Sequence, residues 1–341
     1  MSNQRVQALR NLAGAGVFIL LFTFGLRAIA PGVKPAPDFD GNNRGAEVII
    51  HIERGMSGSQ IGVLLEENSV VKSSLAYFRA AVANPASERI APGEHRIETR
   101  IPAREAVLQL LDAKRIVNLV RVRDGARLNE IKEELIKAGF KKDEISAAIN
   151  SAKAPNLFQV KSIEGFLYPA FYSYPKSTSA DSAIASMLEK FNFITRDVEW
   201  RFENLTPKEL LIIASLVEGE GTPDVFGRVA RVVYNRLEKG MPLQFDSTVH
   251  YILNTRGEIA LSRKDSQIKN PYNTYVYRGL PPGPIGSPTL KAIEATLNPE
   301  PGNWLYFVTV LPNDTRFTDS YEEFLRFKSE YKRNYADGKF D

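Results

Sequence analysis

Between Thr206 and Gly221 the chain reads TPKELLIIASLVEGEG, and few folds can accommodate that stretch. Thr206 and Glu209 have the T-x-x-E spacing of a capping box, and Pro207 suits the first helical turn, so a helix starts here. From Leu210 to Val217 only Ser215 breaks an apolar run. A helix apolar on every side belongs inside a core, not on a surface. It ends in Glu218, Gly219, Glu220 and Gly221. At the C-terminal end of a buried helix, desolvation and the negative helix end both disfavour an ionised carboxylate. Those conditions raise a glutamate pKa toward neutrality and make a general acid. The other reading is that the helix surfaces at Glu218 and both carboxylates are solvated. The stretch alone leaves both open.

The rest of the chain narrows the chemistry. With 341 residues there is room for two domains. There is no cysteine, which excludes disulfides, zinc–thiolate sites and thiol catalysis. His51, His95 and His250 are the only histidines and lie far apart, so a histidine-rich metal site or a Ser-His-Asp triad has little to draw on. No metal is expected. A net charge of +4 is mildly basic, and no dense basic cluster argues for nucleic acid.

Residues 1–10 carry Arg5 and Arg10 and no acid. Leu12 to Leu26 is free of charge, and Ala28 to Ala30 extend the apolar segment beyond Arg27. The uncharged run is shorter than the ~20 residues a membrane span needs. It reaches a workable length if the Arg27 stem snorkels toward the headgroups. Ala28-Ile29-Ala30 also fits a signal-peptidase site, but Pro31 would then be the first mature residue, a poor fit for a peptidase. The expectation is a tail at 1–10, an uncleaved single-pass anchor at 11–30 and a Pro- and Gly-rich linker at 31–46. Either reading exports the remainder.

Folding proper begins near Glu47. Val48, Ile50 and Ile52 alternate as a strand, a turn follows at Gly55, and Ile61, Leu64 and Leu65 mark a helix face. The pattern recurs after 70 residues: Gly125 matches Gly55, Ile131 matches Ile61 and Leu135 matches Leu65. True duplication and chance similarity of two β-α units both remain open. Ser162 to Tyr174 packs Phe166, Tyr168, Phe171, Tyr172 and Tyr174 around Pro169, and reads as a strand or extended turn. Such aromatics suit either sugar faces or a core. Helices are expected near 179–194, 225–239, 288–298 and 320–335, and Trp304 to Val310 reads as a central strand. Strands and helices without regular βαβ alternation give an α+β fold.

Several motifs, in order, resemble the YceG-like (MltG-type) family of endolytic murein transglycosylases. They are Glu164 to Ala170 (EGFLYPA), Ala214 to Glu218 (ASLVE), Asn235-Arg236-Leu237, Asp246 with Thr248 and Tyr251, Tyr272 to Tyr275 (YNTY), and Gly279 to Ile285 (GLPPGPI). The resemblance implies a LysM-like β-α-α-β subdomain at 47–118, a mixed α+β catalytic domain at 119–338, and a location on the extracytoplasmic side of the inner membrane. It implies cleavage of the MurNAc–GlcNAc β-1,4 bond within peptidoglycan strands, leaving 1,6-anhydro-MurNAc ends, without a cofactor. It also implies work beside the peptidoglycan synthases.

The family's catalytic glutamate falls on Glu218. One carboxyl suffices for a lyase, because the attacking group is the sugar's own C6 hydroxyl. Substrate contacts are expected from Glu220, Asp246, Tyr272, Asn273 and Tyr275. Two other functions stay open: a hydrolysing muramidase, which needs a second carboxylate such as Glu220 or Asp246, and a non-catalytic peptidoglycan-binding protein. The chain departs from the family pattern in reading Glu218-Gly219-Glu220-Gly221 where relatives often have E-K-E-T, and in carrying Thr315 and Phe324 where they often have histidines.

Overall fold

Helices begin where the sequence caps them. In the computed structural model Thr206 accepts from the Glu209 amide while the Glu209 carboxylate accepts from the Thr206 amide, closing the capping box. Ser57, Ser73, Ser179, Thr289 and Ser320 cap five further helices in the same way through their hydroxyls. The structure describes residues 35–53, 55–256 and 261–340. The expected tail and anchor, and the start of the linker, lie outside the described residues. Among those residues no helix is long and apolar enough to cross a membrane.

In chain order the elements are β1 (Glu47–Ile52), α1 (Gly58–Glu67), α2 (Ser74–Val82), β2 (Gly93–Glu98), α3 (Ala103–Leu111), β3 (Leu119–Val122), α4 (Leu128–Lys137), α5 (Lys142–Ser151), β4 (Ala170–Ser173) and α6 (Ala180–Ile194). Then follow α7 (Pro207–Glu220), α8 (Phe226–Glu238), α9 (Asp246–Leu253), α10 (Leu290–Leu297), β5 (Tyr306–Leu311), β6 (Asp314–Thr318) and α11 (Tyr321–Ala336). The fold is mixed α+β, with three two-stranded sheets among the described residues: β1–β2, β3–β4 and β5–β6.

The chain divides into two units. The first comprises the described part of Met1–Ile50 together with Gly55–Ile90 and Ile97–Asp112. Its core is built from Ile50, Ile61, Leu65, Val70, Tyr77, Ile97 and Leu110. Helices α1 and α2 pack closely because Gly62 has no side chain; a Cβ there would lie 3.0 Å from the Ser74 carbonyl oxygen.

The second unit comprises His51–Arg54, Ala91–Arg96 and Ala113–Asp341. Strands β3 and β4 pair antiparallel, Leu119 opposite Ser173 and Val122 opposite Ala170. One core cluster gathers Val120, Ile131, Leu135, Phe166, Met187 and Phe191, and a second gathers Phe226, Val229, Val233, Leu243 and Phe245. Helix α7 joins the two: Leu211 and Ala214 face the first cluster, while Ile212, Ile213, Leu216 and Val217 face the second. Every residue from Leu210 to Val217 is buried, as the unbroken apolar run requires. Each large side chain so buried stabilises by about 1.5–3 kcal/mol.

The order β1-α1-α2-β2-α3 is followed by β3-α4-α5-β4-α6, the same order again. Ile61 and Leu65 are buried in the first copy and Ile131 and Leu135 in the second. The recurrence read from apolar positions is therefore one of whole elements.

Two expectations are corrected, and one left open is narrowed. The apolar segment at Trp304 is not a central strand: β5 begins at Tyr306 and pairs only with β6, because the chain reverses at once through Asn313 at φ +67°. Its flank is covered by α11, and only Val310 is fully buried. The helix expected at Ser287 starts at Leu290 instead, because the Ser287 amide donates to the Ala126 carbonyl at 2.9 Å and Thr289 provides the cap. Of the Ser162–Tyr174 aromatics, Phe166, Tyr172 and Tyr174 are core, so that segment is mainly packing; Phe171 alone is largely exposed.

Candidate active site at the end of the buried helix

Glu218 and Glu220 occupy the last turn of α7. Two residues apart on a helix, their side chains leave in nearly opposite directions. Each reaches the first turn of a different helix. Glu218 Oε2 accepts from the Thr289 amide at 2.9 Å and from the Thr289 hydroxyl at 2.7 Å, where α10 begins. Glu220 Oε1 accepts from the Ser247 amide at 3.1 Å, in the first turn of α9. The negative end of α7 thus meets the positive ends of α9 and α10.

Glu218 is half-buried. Burial pushes its pKa above the ordinary carboxylate value, the two Thr289 hydrogen bonds oppose that, and the nearby Asp124 charge adds to it. Among the described residues Oε1 accepts no hydrogen bond; both contacts go to Oε2. One oxygen is anchored and the other is open. The wall beside it is the turn at Gly125, where a Cβ would lie 3.3 Å from Glu218 Cγ and where φ is +64°. That turn is held by the Gly125 amide donating to the Ser287 carbonyl and the Ser287 amide donating to the Ala126 carbonyl, both at 2.9 Å. Tyr168 stands nearby, its hydroxyl accepting from the Leu290 amide at 3.3 Å.

Glu220 has two of the expected companions, Asp246 and Tyr275. Its pKa is pushed up to about 7, first by desolvation, with Ser247 opposing and Asp246 adding to the rise. The Tyr275 hydroxyl donates to Asp246 Oδ1. Arg236 also acts on Glu220, its buried guanidinium donating to the carbonyls of Leu305 and Leu243. Glu220, Asp246 and Tyr275 therefore form one cluster.

Tyr272 is placed elsewhere: its ring lies 4.9 Å from that of Tyr251, and its hydroxyl lies against Gly283. Asn273 is fully buried. Its amide donates to the Ser266 and Ile268 carbonyls and accepts from the Tyr275 amide, so it shapes the loop carrying Tyr272 and Tyr275 and has no surface to offer a ligand. Ser215, the polar break in α7, accepts from the Ile285 amide at 3.1 Å and docks the Pro-rich loop onto the helix.

Sequence reasoning missed Thr289, Asp124 and the α9 helix itself. Thr289 lies in a stretch read as starting at Ser287, and Asp124 is an ordinary acid beside a turn glycine. Glu164 was visible only as a motif letter. It is buried, accepts from the Leu128 amide at 2.9 Å and the Tyr251 hydroxyl at 3.1 Å, and burial pushes its pKa up to about 7. Among the described residues no group of three or more histidines or acids is arranged to hold a metal ion.

Comparison with known proteins agrees with the motif order. The profile of the YceG-like family matches residues 50–330. The chain is 30% identical over 307 residues to an endolytic murein transglycosylase of Bacillus subtilis (strain 168), covering 83% of this chain and 84% of that protein. It is 31% identical over 333 residues to an endolytic murein transglycosylase of Streptococcus pneumoniae serotype 2 (strain D39 / NCTC 7466), and there the match spans 59% of the pneumococcal protein's length. The crystal structure of a yceG-like protein from Listeria monocytogenes superposes with a TM-score of 0.57 at 27% identity, covering 82% of this chain and 98% of that one.

Proposed function

Since the chain belongs to the YceG-like family, we propose that it is an endolytic lytic transglycosylase of peptidoglycan, a carbon–oxygen lyase with Glu218 as its one acid/base. The observation that carries this reading is the asymmetry at Glu218: Oε2 is fixed by Thr289 while Oε1 is open, on a carboxyl whose pKa burial has raised. The raised pKa favours the protonated form that a general acid needs. In the reaction, Glu218 gives its proton to the oxygen leaving MurNAc C1, and the C1–O bond to GlcNAc breaks. The C6 hydroxyl of the same MurNAc closes on C1, and its proton passes to Glu218, which is thereby restored. Intramolecular attack draws on proximity, so no second carboxylate has to activate water.

The back-to-back arrangement of Glu218 and Glu220 supports a lyase over a two-carboxylate hydrolase, because two side chains engaged by different helices do not flank one bond. Glu220, Asp246 and Tyr275 then contact sugar hydroxyls beside the reacting ring. We further propose that 47–118 is a LysM-like glycan-binding subdomain and that the anchor at 11–30 holds the enzyme on the membrane, facing newly made strands and their synthases.

Mass spectrometry of products from purified glycan strands tests the reading. Products ending in 1,6-anhydro-MurNAc are expected; reducing MurNAc ends would overturn the lyase in favour of a hydrolase, and uncut strands would leave only a binding protein.

A further inference from the structure

A pocket of about 130 Å³ opens next to Gly219, the residue between the two carboxylates, and is lined by Arg127, Arg256, His250, Ser247, Gly125 and others. Arg127 is its unusual member. The residue is only 5% exposed, yet among the described residues no carboxylate lies within ion-pair distance of it. One guanidinium nitrogen donates to the carbonyls of His250 and Thr255, both at 2.9 Å, and Nε has no partner. A buried cation without a directly bonded anion is costly, and desolvation accordingly lowers the Arg127 pKa to about 10.

Glu130 and Glu164 act on Arg127 through space, but among the described residues neither bonds to its guanidinium. Glu130 is held by Arg256 at 2.8 Å and by Arg123 at 3.4 Å. Glu164 is engaged by the Leu128 amide and the Tyr251 hydroxyl, and near neutral pH it carries only part of a charge. Arg256 adds a second positive charge to the same pocket. His250, also facing it, has its pKa lowered, chiefly by desolvation.

We propose that this pocket is a carboxylate subsite for the peptide stem of the MurNAc residue being cut, with Arg127 as the principal ligand and Arg256 beside it. The assignment rests on the glycan-cleaving reading of Glu218 and adds to it that the substrate is stem-bearing strand, not bare glycan. A stem is attached to the lactyl group of MurNAc, the sugar whose C1 must lie against Glu218, so its acidic residues fall close to the reacting bond. A guanidinium with no directly bonded anion among the described residues gains one when such a strand binds, which favours strands that carry stems.

The test uses the full chain and three preparations of the same strands: stem-bearing, stem-bearing with the carboxyl groups amidated, and stripped of stems. The wild-type protein is expected to cut the first with a kcat/KM roughly tenfold or more above the other two, the scale of a lost charge-assisted hydrogen bond. Arg127→Gln should lower kcat/KM on stem-bearing strands, and amidation should then make no further difference. Equal wild-type rates on native and amidated strands overturn the subsite, even if all strands are cut, and this arm needs no variant to fold. Amidation leaves phosphate groups intact, so it also separates a stem carboxylate from a phosphate at a strand end. If none of the three is cut, it is the transglycosylase reading that fails.

Discussion

Replacing Gly286 with alanine puts the architecture of the site under direct strain. A Cβ at Gly286 would lie 2.4 Å from the Gly125 carbonyl oxygen, 3.0 Å from the Gly125 carbonyl carbon and 3.4 Å from the Ala126 carbonyl oxygen. All three are backbone atoms, which cannot rotate aside as a side chain can. The two segments must separate, and the hydrogen bonds between Gly125 and Ser287 and between Ser287 and Ala126 stretch with them. Overpacking of this kind costs about 1–3 kcal/mol and two weakened backbone bonds add roughly 1 kcal/mol, giving about 2–4 kcal/mol. The displacement reaches the proposed acid: Gly125 walls Glu218, and Thr289, three residues beyond Gly286, anchors its carboxylate. A shift on the order of 1 Å at a reacting group costs about a hundredfold in rate. Urea unfolding and kcat on purified strands measure the two effects. Gly58→Ala is the control, because a Cβ there meets nothing within 4 Å; a change between neutral and about 1 kcal/mol stabilising is expected. A Gly286→Ala protein within about 0.5 kcal/mol of wild type with unchanged kcat would refute the argument.

Glu218→Gln keeps the shape and the Thr289 contacts but removes the transferable proton. It should cut turnover by about 10²–10⁴-fold with an unchanged circular-dichroism spectrum, and retention of wild-type turnover would remove Glu218 from the mechanism. For pH, the folded Glu164 pKa of about 7 lies above its ordinary value of 4.5. The folded state therefore binds the extra proton between those values, and this group makes stability fall as pH rises from 4.5 to 7. Glu164→Gln lacks that fall, so its stability relative to wild type should improve steadily across the same window in denaturant titrations; a constant difference would contradict the assignment. Tyr275→Phe removes the donor to Asp246 and should raise KM more than it lowers kcat, which steady-state kinetics on strands of defined length can separate.

Much of this was legible because it depends on local pattern. The apolar run from Leu210 to Val217 dictated a helix buried on all sides, and the T-x-x-E spacing dictated where it begins. Glu218 was singled out by its position at the end of that helix, and the family resemblance made it the candidate acid/base. What was hidden depends on contacts between distant segments. Nothing near Thr289 in sequence announces a carboxylate from α7, and nothing near Ser247 announces Glu220. Asn273 looked like a ligand contact because an amide in a polar loop is suited to one; only the fold reveals that its donors are engaged by the loop's own carbonyls. The apolar strand at Tyr306 pointed to a sheet centre, since composition reports burial and not which neighbour provides it. Here a helix and aromatic rings cover what further strands would have covered.

The two β-α-α-β-α segments differ at one turn. In the first, Gly55 has φ +86° and open space around it; in the second, Gly125 has φ +64°, is clamped through Ser287 and stands against Glu218. The bend that touches nothing in the first stands against the proposed acid in the second. In the second, a segment far along the chain, at Ser287, holds the bend in place. Replacement at 55 meets only the strain of its positive φ, whereas replacement at 125 adds a close contact with Glu218, so Gly→Ala should cost more stability at 125 than at 55.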